Sequence, residues 1–186
     1  MNTSLLEDEF RSKVSIPDGE FEKFSALLES FSIRRNEHFF QAGDVVKFAV
    51  FILKGCLRQY YISPEGVEST VYFAEEKWWS GDASSFRNAT PTNLNLQAME
   101  DCEVLLLSRK NWQYAFDTFA WYREYHTKGQ QRLAARMQEK LGQALTETAE
   151  QKYLRLLKER PSLIRRVPQH YIATYLGLTP ETLSRV

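Results

Sequence analysis

A stretch of 49 residues without proline, from Trp112 to Arg160, constrains the fold of this chain more than any other feature. Only Gly129 and Gly142 interrupt a run of strong helix formers there, so the pattern predicts one long helix from Trp121 to Leu145. The residues before this helix show a β pattern, and those after it show a helical pattern. The sequence therefore predicts an α+β protein in which a long helix joins a β unit to a helical tail.

The apolar residues of the long helix fall into two sets that face different directions. Within each set they recur every three or four residues, which is the spacing of one helix face. One face can pack on the β unit and the other on the same helix of a second copy, as in a two-fold dimer. A core helix of a monomer is the alternative, because the heptads are imperfect. The first set is Tyr122, Tyr125, Gly129 and Leu133, and the second is Ala134, Met137, Leu141, Ala144 and Leu145.

Composition argues against several classes of protein. No apolar run approaches the ~20 residues of a membrane-spanning helix, and the acidic residues 7–9 do not resemble a signal peptide, so we expect a cytoplasmic protein without a membrane partner. The two cysteines, Cys56 and Cys102, lie in apolar runs and are predicted to be buried thiols. The three histidines are far apart in the sequence, so we predict no metal site, no catalytic residues and no enzyme.

The net charge of zero hides an asymmetry between the two parts of the chain. Residues 123–186 contain 12 lysines and arginines against 6 acidic residues, whereas residues 1–122 contain 12 against 18. A basic region of this kind suits a polyanion such as DNA, although a solvated surface of lysine-rich helices gives the same count.

Regular turn signals from Ser32 to Ser108 predict an antiparallel unit of about eight short strands, as in a sandwich or jelly roll. The preceding residues 4–30 have apolar side chains at helical spacing and are predicted to form helices divided by a turn at Pro17-Asp18-Gly19. One segment, Gly81 to Asn93, lacks a strand pattern and is rich in small and hydroxyl residues. Such a segment can hold an anion on backbone amides at the start of a short helix, or be an ordinary polar loop.

The spacing of Thr148 and Gln151 is that of a capping box, which predicts a new helix that begins there and ends at Pro161, with a hinge near Thr146–Thr148. The following residues, Val167 to Val186, have the pattern of a helix-turn-helix. Pro168 suits the first turn of one helix, and Gly177 permits a left-handed turn before the next.

In a helix-turn-helix, the N-terminal residues of the second helix enter the major groove of DNA. Glu181 can accept a hydrogen bond from a cytosine amino group, and Arg185, one turn later, can bind guanine with two hydrogen bonds. Hydroxyl and amide side chains at the start of each helix are of the type that contacts phosphates. A purely structural helical hairpin is the alternative. The predicted DNA-binding residues are Gln169, Thr179, Pro180, Glu181, Thr182 and Arg185.

The order of β roll, long helix and small helical tail resembles the catabolite-activator and anaerobic-regulator (Crp/Fnr) family of bacterial transcription factors. The resemblance covers about Phe31 to Val186 and is strongest from Gly177 to Arg185 and at four spaced glycines, Gly43, Gly55, Gly66 and Gly81. It implies an effector domain with a cyclic-nucleotide-binding-like β roll (a double-stranded β-helix, or jelly roll) and N-terminal helices at 1–118, a dimerisation helix at 119–147 and a helix-turn-helix DNA-binding domain at 148–186. It also implies a homodimer that reads a palindromic operator, senses a small effector and acts on RNA polymerase.

Carried over to this sequence, Glu181 and Arg185 match the family's base-reading residues, whereas Pro180 replaces a further base-reading arginine. The chain ends about two turns into the recognition helix, without the family's usual β wing. It resembles the shorter members of the family, which end soon after this helix; the alternative is that a few terminal residues are missing.

The family's phosphate-binding loop corresponds to Gly81–Asn93, and the resemblance implies cyclic AMP as its effector. Thr92 takes the place of the arginine that would pair with the phosphate, and Asp82 is shorter than the family's glutamate. Because a hydroxyl group cannot replace a guanidinium, we expect cyclic AMP to bind weakly or not at all. The predicted effector-binding residues are Gly81, Asp82, Ala83, Ser84, Thr92 and Asn93.

Two other functions fit parts of the sequence. A dimeric β-roll sensor that acts through a protein partner, without binding DNA, would have the same β unit and long helix. A cupin-like metal enzyme would need histidines clustered on neighbouring strands, and the β half contains only His38.

Overall fold

The computed structural model describes residues 2–185, within which the chain forms nine helices and eight strands. Val186, the last residue of the predicted helix-turn-helix, lies outside this range. The helices are α1 (Ser4–Arg11), α2 (Glu20–Ser25), α3 (Ala83–Asn88), α4 (Arg109–Thr118), α5 (Ala120–Thr146), α6 (Ala149–Glu159), α7 (Pro161–Arg166), α8 (Gln169–Leu176) and α9 (Pro180–Ser184). The strands are β1 (Leu28–Ile33), β2 (His38–Phe40), β3 (Phe48–Lys54), β4 (Leu57–Ile62), β5 (Glu68–Ala74), β6 (Trp79–Ser80), β7 (Asn95–Ala98) and β8 (Cys102–Ser108).

The eight strands form two antiparallel four-stranded sheets, with the strand orders β1-β8-β3-β6 and β2-β7-β4-β5. The apolar runs predicted to be strands supply the core between the sheets, where Ile52, Leu57, Leu96 and Val104 are almost completely buried. The predicted α+β class and the eight-stranded β roll are therefore confirmed.

An aromatic cluster holds the N-terminal helices against the start of α5. The ring of Phe10 lies 5.2 Å from those of Phe24 and Trp121 and 4.6 Å from that of Tyr125, measured between ring centroids. All three contacts are edge-to-face, the geometry that the aromatic quadrupole favours. The cluster fixes the direction in which α5 leaves the β roll.

The prediction of helix as far as residue 30 is wrong, because α2 ends at Ser25 and Leu28 begins β1. All six residues of β1 pair with β8, from Leu28 opposite Leu107 to Ile33 opposite Cys102. Leu27, Leu28 and Phe31 have helical spacing, but a complete ladder of hydrogen bonds along the roll outweighs this local preference.

The predicted long helix is confirmed as α5, and its 27 residues span about 40 Å. Its first turn is buried through Trp121 and Tyr122, whereas residues 130–139 are all exposed. The predicted capping box is also present, since Thr148 and Gln151 exchange side-chain and backbone hydrogen bonds at the start of α6. None of the helices in residues 2–185 combines the length and the apolar character needed to cross a membrane.

We predict that Gly55→Ala lowers the free energy of unfolding by about 2 kcal/mol more than Gly43→Ala. Both glycines have a positive φ, +109° and +99°, so alanine strains the backbone similarly at both positions. Only at Gly55 does an added Cβ collide with a neighbour, lying 2.9 Å from the Cα of Cys102, whereas the space around Gly43 is open. Urea denaturation of the two variants measures the difference, and equal losses would contradict the close packing of Gly55 against β8.

Candidate functional site

The segment Gly81–Asn93, predicted to hold an effector, contains the short helix α3. Asp82 is its N-cap: the backbone N–H groups of Ser84 and Ser85 donate to Asp82 Oδ1 at 2.9 and 3.2 Å. The hydroxyl of Thr92 donates to the other oxygen of the same carboxylate at 2.7 Å. The carboxylate of Asp82 thus occupies the donors that would otherwise be available to a bound anion.

Further hydrogen bonds close this segment onto the rest of the roll. Ser85 Oγ donates to the carbonyl of Thr90 at 2.6 Å and accepts from the backbone N–H of Val46 at 2.9 Å. Arg109, at the start of α4, donates to the carbonyl of Val46 at 3.0 Å and to that of Phe86. The segment is therefore an ordered part of the fold.

Most of the predicted effector-binding residues lie together in this structure. Gly81, Asp82, Ala83 and Ser84 surround the start of α3, and the side chain of Thr92 is 1% exposed beside Asp82. Asn93 follows Thr92 but faces solvent.

A cyclic phosphate does not fit the segment in this arrangement. Its negative charge would meet the carboxylate of Asp82, and the amides at the start of α3 already have an acceptor. The one arginine of the segment, Arg87, is exposed, and its Nε donates to the carbonyl of Ala83 at 3.2 Å. Weak or absent binding of cyclic AMP stays a prediction.

Two polar side chains of the second sheet, the buried Gln59 and the partly buried Tyr72, contact residues at the start of the segment. Gln59 in β4 donates from Nε2 to the carbonyl of Gly81 at 3.3 Å, and the hydroxyl of Tyr72 in β5 lies 3.1 Å from Ser80 Oγ. Burial raises the pKa of Tyr72, so this hydroxyl stays protonated and able to donate. The sequence pattern singled out neither residue, because each lies in a strand that carries other polar side chains.

The C-terminal helices have the arrangement predicted for a helix-turn-helix. Gly177 has φ +70° and ends α8, and Thr179 caps α9 by accepting from the backbone N–H of Thr182 at 3.2 Å. Pro180 occupies the first position of α9, and Leu183 is buried against the rest of the tail. The turn chemistry read from the sequence therefore produces the expected local structure.

All six residues predicted to contact DNA are exposed. Gln169 lies at the start of α8, whereas Thr179, Pro180, Glu181 and Thr182 surround the start of α9. Arg185 follows the last turn of α9. Hydrogen bonds to Glu181 from its own backbone N–H and from Thr179 lower the pKa of its carboxyl group, which favours the anionic, accepting form.

The first helix of this motif, α8, lies on the outer face of the second sheet, a contact that the sequence analysis did not predict. Arg58 in β4 is 0% exposed and donates to Glu68 at 2.6 Å and to Thr70 at 2.8 Å. Its guanidinium lies 3.8 Å from the ring centre of Tyr171 in α8 and 4.1 Å from that of Tyr60. The cation–π contact with Tyr171 joins the tail to the roll.

Other contacts extend this interface along α8. The hydroxyls of Thr70 and Thr174 share a hydrogen bond of 2.7 Å, and the rings of Phe73 and Tyr175 meet edge to face at 5.4 Å. Buried side chains of the roll and of the tail form one apolar cluster, which includes Cys56, Phe73, Met99, Leu156, Leu163, Val167, Ile172 and Ala173.

A group of ion pairs surrounds the apolar part of the interface. Arg160 binds Glu75 at 3.0 Å, and Arg166 binds Glu76 at 2.8 Å and also contacts Glu100. Burial would raise the pKa of Glu76, but hydrogen bonds, chiefly from Arg166, outweigh it and lower the pKa. These half-buried, charge-assisted contacts fix the position of α7 and thus of the motif that follows it. Nothing in the sequence pattern distinguishes these residues from surface charges.

Comparisons with known proteins agree with this architecture. The profile of the cyclic nucleotide-binding domain matches residues 30–119. Among solved structures, the chain is similar to CLP, a c-di-GMP responsive global regulator from Xanthomonas campestris, with a TM-score of 0.71 and 17% identity over 91% of this chain and 89% of that one. It is also similar to the catabolite activator protein of Thermus thermophilus, with a TM-score of 0.59 and 19% identity over 92% and 82% of the two chains.

A third similar structure is a protein from Eubacterium rectale classed among the transcriptional regulators of the Crp/Fnr family, with a TM-score of 0.69 and 17% identity over 91% of this chain and 81% of that one. No curated protein matches the sequence. These similar proteins are regulators or activators rather than enzymes. The segment Gly81–Asn93 lies inside the residues that match the domain profile. Residues 30–119 are therefore similar to cyclic nucleotide-binding domains, and the chain has the fold seen in the solved Crp/Fnr-family regulators.

Proposed function

We propose that this chain is a homodimeric, sequence-specific DNA-binding transcription regulator, which acts on RNA polymerase as the family resemblance implies. The observation that carries the proposal is the exposed start of α9, where Glu181 and Arg185 lie one helical turn apart in a capped helix-turn-helix. An acceptor and a guanidinium at this spacing suit neighbouring base pairs in the major groove. The excess of basic residues from 123 to 186 supplies the attraction to phosphates.

The exposed part of α5 supports the dimer. An apolar stripe continues along it beyond the last contact with the N-terminal helices, and large apolar side chains rarely form such a stripe without a partner. Two copies of the stripe, related by a two-fold axis, would bury each other and place two copies of α9 on one face. The large members of the stripe are Leu133 of the first predicted set and Met137, Leu141 and Leu145 of the second, which are 47%, 48%, 63% and 79% exposed. They recur every four residues, so Leu133 continues the face of the second set.

The effector site is proposed at Gly81, Asp82, Ala83, Ser84, Thr92 and Asn93. Because the Asp82 carboxylate already binds the amides of α3, the effector that suits this segment is uncharged or cationic rather than a phosphate. A ligand that displaces a hydrogen bond between Gly81 and the sheet would change the position of the segment. This movement of the segment would then change the affinity of the chain for DNA.

The cupin-like alternative has no support in the part of the chain that the structure describes, because no three side chains of His, Cys, Asp or Glu there are grouped as metal ligands would be. The sensor that acts through a protein partner shares the β roll and the dimer helix with the regulator. The role of Arg185 separates these two functions.

We predict that Arg185→Ala reduces the preference for the best palindromic duplex over a mismatched one by about tenfold, since a two-pronged arginine–guanine contact contributes about 1–3 kcal/mol. Fluorescence anisotropy against a library of palindromes, at fixed salt, measures the preference. Cyclic AMP is expected to leave it unchanged.

Arg35→Ala is the matched control, because Arg35 is an exposed arginine of the β roll and the substitution removes the same charge. It is expected to keep the sequence preference. If the unmodified protein prefers no sequence, or if both variants lose the preference equally, the proposed reading by α9 is wrong and the protein-partner function takes its place.

We predict that Leu141→Asp weakens dimerisation by at least about 100-fold, because it places a carboxylate in the middle of the apolar stripe. Sedimentation equilibrium over a range of concentrations measures the change. Ala135→Asp adds the same charge to another exposed face of α5 and is expected to leave the dimer intact. A monomeric unmodified protein, or equal weakening by both substitutions, would contradict a dimer built on this stripe.

A further inference from the structure

Four residues in the middle of β4 and β5 contact functional segments on opposite faces of one sheet. Gln59 pairs with Tyr72 across the two strands, and Arg58 pairs with Phe73. Because successive residues of a strand point to opposite faces, one pair faces the inside of the roll and the other faces outward. We name these four residues, Arg58, Gln59, Tyr72 and Phe73, the β4–β5 block.

The inner pair contacts the residues that open the proposed effector segment. Gln59 donates to the carbonyl of Gly81, and the hydroxyl of Tyr72 is bound to Ser80. Gln59 is almost completely buried, so its amide has no solvent to compensate for a lost partner. Movement of Gly81 away from the sheet therefore requires β4 to adjust or leaves a buried polar group unpaired.

The outer pair contacts α8. The guanidinium of Arg58 stacks on Tyr171, and Phe73 packs edge to face on Tyr175. Arg58 is fully buried, and α8 covers it. Displacement of Arg58 relative to Tyr171 therefore weakens the attachment of α8 to the roll.

A one-residue β-bulge beside the block allows β5 to contact both α8 and the residues before α3. Gln59 pairs with Tyr72 but the next residue, Tyr60, pairs with Thr70, so Val71 has no partner in the ladder of β4. Such a bulge re-aims the side chains on either side of it. It brings both Thr70 and Phe73, three residues apart, to α8, where they contact Thr174 and Tyr175.

The carbonyl of the bulged residue also connects the block to the long helix. Lys140 in α5 donates to the carbonyl of Val71 at 2.9 Å, and its ammonium lies 4.1 Å from the ring centre of Tyr175. The bulge thus lies where the second sheet, α5 and α8 meet. All of these contacts are made within one chain.

We propose that the β4–β5 block couples the segment Gly81–Asn93 directly to the DNA-binding helices of the same chain. A change at Gly81 is transmitted through the thickness of the sheet, from Gln59 and Tyr72 to the adjacent Arg58 and Phe73, and so to α8. Close-packed interiors transmit such displacements because they have no free volume to absorb them. This route needs neither a second copy nor the hinge near Thr148. This coupling deepens the proposed function. It rests on that function only in one respect, namely that α8 and α9 bind DNA.

Hydrogen exchange of the protein without DNA tests the coupling, so the result does not depend on whether the chain binds DNA. We expect Gln59→Met, and separately Tyr72→Phe, to speed the exchange of α8 amides by about three- to tenfold, the effect of losing one buried hydrogen bond. Because coupling is reciprocal, Tyr171→Leu is expected to speed the exchange of the segment Gly81–Asn93 by a similar factor.

Asn111→Leu is the matched control, because Asn111 also donates one side-chain amide to a backbone carbonyl, that of Leu27 at 2.8 Å, on the other side of the roll. It is expected to leave α8 exchange unchanged. The effects of Gln59→Met and Tyr72→Phe should persist in the Leu141→Asp background and at every protein concentration.

The proposal is overturned if Gln59→Met and Tyr72→Phe loosen the segment Gly81–Asn93 without changing α8. It is also overturned if Asn111→Leu changes α8 by the same factor, which would indicate a loss of global stability. Disappearance of the effect in the Leu141→Asp background would show that the signal passes through the α5 dimer instead.

Discussion

The burial of Arg58 is the constraint on which the position of the C-terminal helices depends. A guanidinium removed from water requires both a counter-charge and hydrogen-bond acceptors, because an unpaired one would cost several kcal/mol. In Arg58, Nε and Nη1 have acceptors, whereas Nη2 has none among the described residues. The second sheet supplies Glu68 and Thr70, and Tyr60 covers one side of the group. The remaining cover comes from Tyr171 of α8. The roll therefore presents a surface that is complete only when the helix-turn-helix lies on it.

The ion pairs around this surface act in the same direction. The side chains of Arg160 and Arg166 extend from the tail to three glutamates of the roll, Glu75, Glu76 and Glu100. These ion pairs are half-buried, and such pairs are stronger than those at an open surface. The tail is consequently held by apolar, aromatic and charged contacts at once, and its first helix has one defined orientation. The position of the tail on the roll is therefore set by the shape of their contact surface.

The parts of the fold that depend on neighbouring residues could be predicted from the sequence. The long helix, the capping box at Thr148 and the turn at Gly177 each follow from residues within a few positions of one another. The interface around Arg58 could not, because its two sides, on the β roll and on α8, are more than a hundred residues apart and each residue is ordinary in its own strand or helix. The prediction of helix up to residue 30 was wrong for the same reason, since the pairing of β1 with β8 depends on residues that are distant in the sequence.

The capping of α3 by Asp82 limits the energy that any effector can supply. A ligand shifts an equilibrium only by the difference between its affinities for the two arrangements. An anion at the start of α3 would first have to displace the aspartate, which removes a helix cap of about 1 kcal/mol and leaves a carboxylate beside the ligand's own charge. An uncharged ligand that takes over the Gly81 carbonyl from Gln59 meets neither cost. In the proposed effector site, the hydrogen bond between Gly81 and the sheet therefore suits a ligand better than the amides of α3 do.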